Sequence, residues 1–91
     1  MFTVTREKPT IKRAGTAWLV TLHFRETQPS GAEVLVLRHG SLAADLNFAP
    51  GTGEVSLGPF VLAPGDYSIR VTATDAFGRV RHLSFSAVLA R

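Results

Sequence analysis

Three histidines, seven carboxylates and a scatter of Ser and Thr are the groups in this 91-residue chain that could do chemistry. His23, His39 and His82 fall on separate segments, with no i, i+2 pair among them and no carboxylate at ligand spacing. A zinc site needs three or four converging ligands, so these histidines read as surface or partly buried side chains. Asp66 and Asp75 flank one strand-like stretch, and nine residues of strand span roughly 30 Å, which excludes them as a paired acid and base. Calcium takes six to eight oxygens from several carboxylates, and the sequence has no such cluster. Asp75 therefore reads as a turn aspartate bonded to its own backbone. No Gly-x-Ser-x-Gly elbow is present. The "PGTG" and "GTGE" stretches read as turns, since no helix follows to offer its N-terminus to a phosphate. With no cysteine there is no thiolate nucleophile and no disulfide. The expectation is a protein that is not an enzyme, has no cofactor or metal, and takes no small-molecule substrate.

The elements around these residues follow a period of two. "TAWLVTLHFR" places Trp18, Val20, Leu22 and Phe24 on one face, with Leu19, Thr21 and His23 on the other. Pro29-Ser30-Gly31 reads as a turn. "EVLVLRHG" is apolar on both faces, Val34 and Val36 alternating with Leu35 and Leu37. "SLAADLNF" puts Leu42, Ala44, Leu46 and Phe48 on one side, as a strand or an irregular crossing, and "APGTG" turns the chain. Gly58-Pro59 interrupts the next strand. A proline cannot donate to a ladder, so an edge or a bulge is expected there, with the inward phase moving from Val55 and Leu57 to Phe60 and Leu62. Tyr67, Ile69, Val71 and Ala73 share a face, Asp75-Ala76-Phe77-Gly78 makes a short hairpin with Gly78 able to take positive φ, and Leu83, Phe85, Ala87 and Leu89 return inward. At the front, "FTVT" and "TIKR" are short strand pieces on either side of Lys8-Pro9, so residues 1–9 form an N-terminal arm or edge strand. About seven strands with a turn every 8 to 12 residues describe an all-β, seven-stranded antiparallel sandwich occupying 1–91 as a single domain.

The stretch "LAPGDYSIRVTATDAFGR" resembles the penultimate strand of immunoglobulin-like and fibronectin type III-like domains. The resemblance implies a tyrosine corner at Leu62, Pro64, Gly65 and Tyr67, the ring under the loop and the hydroxyl bonded to backbone upstream. "VTATDAFGRV" is similar to the hairpin of bacterial Ig-like modules, and "AEVLVLRHG" fits an earlier strand of that family. The absence of a Cys pair excludes antibody-type domains. Adhesion, spacing and assembly are the uses the resemblance implies, with no shared chemistry.

The apolar content, 45% of residues, is high for a small free monomer, yet no apolar run is long enough for a membrane-spanning helix. The first fifteen residues lack the apolar run of a secretory signal. The chain begins at Met, and a complete small gene product is expected. If Val34 and Val36 face the core, Leu35 and Leu37 point outward, and Leu19 is expected to point the same way, with Val61 and Val88 adding to one patch. Such a patch marks an interface. The opposing reading is that "SLAADLNF" folds over these leucines within the chain.

The net charge is +3, with eight Arg to two Lys. Arg6, Lys8, Lys12 and Arg13 at the front, and Arg70, Arg79, Arg81 and His82 on the last hairpin, would form one stripe if the first strand runs beside the last. Exposed aromatics for base stacking are scarce, Phe77 being the candidate, which argues against nucleic acid. One Asn, one Gln and a single Met fit a thermophile, while a GC-rich genome would favour the same Arg and Ala. The expected function is a structural or assembly subunit of a bacteriophage virion (tail, baseplate or capsid decoration), packing against itself or other virion subunits through Leu19, Leu35 and Leu37. Phe77, Arg79 and Arg81 would reach an acidic neighbour. The alternative is an Ig-like binding or spacer module of a larger bacterial surface or secreted protein.

Overall fold

The computed structural model describes residues 2–91, and the side chains of all of these except 29, 30 and 50–52. Six continuous strands follow in order: β1 (Val4–Arg6), β2 (Thr10–Ala14), β3 (Ala17–Arg38), β4 (Ser41–Leu62), β5 (Gly65–Asp75) and β6 (Val80–Leu89). The described residues contain no helix.

Two of these strands do double duty. Residues 17–26 of β3 pair with β1 and β2 on one side and with residues 53–62 of β4 on the other. Residues 30–38 of β3 pair with β5 and with the first half of β4, and β5 pairs with β6. The chain thus builds two antiparallel sheets from eight strand segments rather than the seven expected. The reason is at Pro29-Ser30-Gly31 and at 49–53, where turn-forming residues do not reverse the chain. They bend the long hairpin of β3 and β4, with register shifts at Glu26/Ser30 and Ser30/Ala32, and carry it from one sheet into the other.

Alternation then decides what is buried. Val20, Leu22 and Phe24 from the first half of β3 meet Val34 and Val36 from the second half, Ile69 and Val71 from β5, and Phe85 and Leu89 from β6 in one hydrophobic cluster. Each of these side chains contributes roughly 1.5–3 kcal/mol on full burial. The cluster draws on residues of both sheets, and the residues that alternate with them face away from it.

Two irregularities shape the surface. Opposite Gly58-Pro59 the register slips between Val20/Phe60 and Leu22/Leu57, on a strand that is the edge of its sheet. Both Leu57 and Phe60 remain buried because the slip absorbs the change of phase. A second shift lies between Val36/Ala44 and Leu37/Leu42. It separates Leu42 from Ala44 and Leu46, which the alternation of "SLAADLNF" had put on one face.

Candidate interaction faces and the arginine cleft

The histidines sit on three different parts of the surface. His23 Nε2 shares a hydrogen bond with Thr10 Oγ1 at 2.7 Å and Nδ1 with Ser56 Oγ at 2.9 Å. The ring thereby ties β2, β3 and β4 together across one outer face. A Ser–His contact of this length has the reach of a nucleophile and base, but the second ring nitrogen meets a hydroxyl where an orienting carboxylate would be needed. His82 meets Thr72 on the outer face of the other sheet at 3.2 Å, and His39 sits between β3 and β4 with φ 52°. Among the described residues no group of three or more His, Asp or Glu is placed to hold a metal ion.

The β5–β6 hairpin is organised by Asp75. Its buried carboxylate accepts from the backbone N–H of Phe77 at 3.0 Å and of Arg79 at 2.9 Å, and from Arg79 Nε at 2.7 Å. Gly78, at φ 79°, closes the turn by donating to the Asp75 carbonyl. Burial pushes the Asp75 carboxyl up, but the hydrogen bonds from Arg79 and Phe77 and the charge of the guanidinium outweigh it, and the group is held below its ordinary value of 3.8. A carboxyl lowered in the folded state stabilises the fold above the unfolded value and loses that contribution as pH falls through the folded one. The stability advantage of the native chain over Asp75→Asn is therefore expected to be full near neutrality and to shrink progressively below pH 3.8. Urea unfolding of both proteins across that range measures it, and an advantage that does not change with pH contradicts the assignment.

Arg79 makes its contacts inside its own chain. Besides Asp75 it donates to Gln28 Oε1. Its guanidinium lies 5.4 Å from the Phe77 ring centroid and 5.9 Å from that of Phe2. The cause is local: a hairpin that buries a carboxylate at position 75 needs the cation four residues on. Arg81 also lies against the arm, 5.7 Å from the Phe2 ring, and bonds the Val80 carbonyl. Phe77 stands at the hairpin tip with Arg79 over its ring and is 82% exposed. Phe2 escaped the sequence analysis altogether. It is fully buried, and only the pairing of Thr3 with Thr27, which docks the arm on β3, reveals why.

The three leucines expected on one patch are divided. Leu19 pairs with Val61 and Lys12 on the outer face of the first sheet. Leu35 and Leu37 lie on the outer face of the second, because β3 has crossed between sheets by then. All three are half-buried. Leu37 stands beside Leu42, which the register shift turns out of the core and leaves 58% exposed. Leu35 follows on the same face, between Asp45 and Arg70. The segment 41–48 lies beside these leucines as an edge strand and leaves their outer face uncovered.

At the far end of β5 the chain folds around Tyr67. Its ring is buried and its hydroxyl donates to the Ala63 carbonyl at 2.8 Å; Leu62 is buried, and Pro64 and Gly65 are half-buried. Arg38 lies over the ring, 5.9 Å from its centroid. Beside this corner is a cleft of about 600 Å³ lined by Arg13, Arg38, Arg91, Val61, Ala63 and Pro64. Arg38 was missed in the sequence, although a signal was there: it continues the inward phase of Val34 and Val36, where a charged residue is out of place. Arg6 and Arg13 both reach backbone carbonyls of the last segment, those of Ser84 and Ala90. Arg6 donates to the Ser84 carbonyl at 2.7 Å, and Trp18 Nε1 to that of Ala90 at 2.7 Å.

No protein-family model, curated protein or solved structure matches the chain.

Proposed function

We propose that the chain is an immunoglobulin-like β-sandwich whose work is packing: a non-enzymatic structural subunit that associates with copies of itself or with other subunits of an assembly. A bacteriophage virion part in a tail, baseplate or capsid decoration is the setting this reading suits. The sandwich is supported by the interleaving of the strands. In such folds strands A, B and E share one sheet and C, F and G the other, and the sixth strand begins at a tyrosine corner. Here β1 and β2 with the first half of β3 and the last half of β4 take the first set, and the second half of β3 with β5 and β6 takes the second.

The observation that carries the assembly reading is the apolar row at Leu35, Leu37 and Leu42. A register shift that turns Leu42 outward beside Leu37 forgoes part of the roughly 1.5–3 kcal/mol that burying a leucine contributes, unless another surface covers it. Sedimentation of the purified chain tests this. The native protein is expected to associate, and Leu35→Ser/Leu37→Ser to remain folded by circular dichroism but sediment as a monomer. If the double variant assembles as the native chain does, the assigned face is wrong. A native chain that is monomeric at every concentration favours the binding or spacer module instead.

A further inference from the structure

We propose that the cleft beside the Tyr67 corner is a binding site for an acidic polypeptide segment, with its carboxylates on Arg13 and Arg38 and an apolar side chain against Val61. The cleft holds about 600 Å³, within the size range of ligand sites. Its lining is mixed: Arg13, Arg38 and Arg91 supply charge, and Val61, Ala63 and Pro64, with Ala17, supply apolar surface. Val61 is 70% exposed on the edge of its sheet.

The arginines are held in place without their charges being matched. The Arg13 guanidinium lies 5.0 Å from the centroid of the Trp18 ring, and its Nε donates to the Gly15 carbonyl at 3.2 Å. Arg38 lies over Tyr67 and against Gly65, so closely that a Cβ on that glycine would stand 2.8 Å from Arg38 Nε. Both are therefore fixed by aromatic rings and backbone. The ion pairs Arg25–Glu54 and Arg79–Asp75 lie away from the cleft. Asp66, which shares a neighbouring recess with Arg38, stays beyond ion-pair distance. Arg13 uses Nε on the Gly15 carbonyl and one terminal nitrogen on the Ala90 carbonyl at 3.5 Å, while Arg38 presents a guanidinium suited to bidentate carboxylate or phosphate binding.

The apolar part of the lining selects between anions. A nucleic acid would bring bases that need an open aromatic face. Here Trp18 and Tyr67 have arginines over their rings, and the exposed Phe77 lies at the opposite end of β5, roughly 30 Å away along an eleven-residue strand. A polypeptide in which carboxylates flank an aliphatic side chain satisfies the charged and the apolar lining at once. The site does not depend on the leucine row or on self-association, and it is complete in one copy of the chain.

The test is fluorescence anisotropy at low salt with a labelled heptapeptide of glutamates around a central leucine. Saturable binding is expected, weakening as salt is added. Arg13→Gln/Arg38→Gln replaces both guanidinium groups with neutral amides and should bind at least about tenfold more weakly. Val61→Glu, at an exposed position that puts no strain on the fold, should also bind at least about tenfold more weakly by placing a carboxylate in the cleft. Equal binding by both variants overturns the proposal. So does equal binding of the peptide with glutamine in place of glutamate, or displacement of the peptide by a thymidine oligonucleotide of the same charge at lower concentration. Absence of saturable binding below about 1 mM overturns it as well.

Discussion

Phe2→Ala is expected to destabilise the protein by about 3 kcal/mol, as much as truncating an aromatic side chain in the middle of the core. Substitutions this close to the start of a chain are ordinarily silent, because terminal segments fray. Phe2 is different because its ring has no exposed surface and lies under two guanidinium groups, those of Arg79 and Arg81. Both contacts fall within the distance at which a cation is attracted to a ring face. The arm is also tied by backbone pairing of Thr3 with Thr27 and by β1 along β3. Emptying the site leaves a cavity beneath the hairpin that Asp75 and Arg79 organise. In a domain of this size, about 3 kcal/mol lowers the melting temperature by roughly 12 °C or more. Denaturant unfolding of Phe2→Ala beside Phe2→Leu measures the effect. A loss below about 1 kcal/mol for the alanine variant would mean that the arm is not docked in solution.

Gly58→Ala should cost about 2–4 kcal/mol, from backbone strain and a steric clash together. Gly58 has φ +122°, a region that side chains disfavour. A Cβ there would lie 2.8 Å from the Val20 carbonyl oxygen and 3.1 Å from the Phe60 nitrogen. Both are backbone atoms of paired strands, at the slip that keeps Leu57 and Phe60 in the core, so neither can yield without disturbing the ladder. Gly53→Ala is the control. It too has positive φ, +74°, but nothing lies within 4 Å of its added methyl. That variant should lose only about 1 kcal/mol. Equal losses at the two positions would show that contact with Val20 contributes nothing.

How much of this was legible in the sequence depends on whether local alternation sufficed. In β5 it did: Tyr67, Ile69, Val71 and Ala73 are all buried, as their period of two requires. The same holds for Val20, Leu22 and Phe24, and for Phe85, Ala87 and Leu89. Gly58-Pro59 also announced its edge position and register slip, since proline leaves few other choices. What alternation cannot carry is the relation between distant segments. Pro29-Ser30-Gly31 marks a break in phase, but residue types alone do not say whether the chain reverses there or bends onward into a second sheet. The count of strands and the separation of Leu19 from Leu35 and Leu37 both hang on that difference. Leu42 was placed with Ala44 because the shift that parts them depends on β3, not on its own neighbours. For Arg79 the local partner, Asp75, is four residues away, but its other contacts, Gln28 and Phe2, are remote in sequence. The cleft was illegible because it brings together Arg13, Arg38 and Val61 from three strands.

The passage of β3 and β4 through both sheets has a mechanical consequence. Neither layer is an autonomous unit that could peel away while the other persists, since each shares two unbroken backbones with its opposite. A force or a solvent that frees residues 17–26 pulls directly on 30–38 and, through them, on β5. The molecule should therefore yield as a single block, with its thresholds set by the bends of the long hairpin rather than by either layer alone.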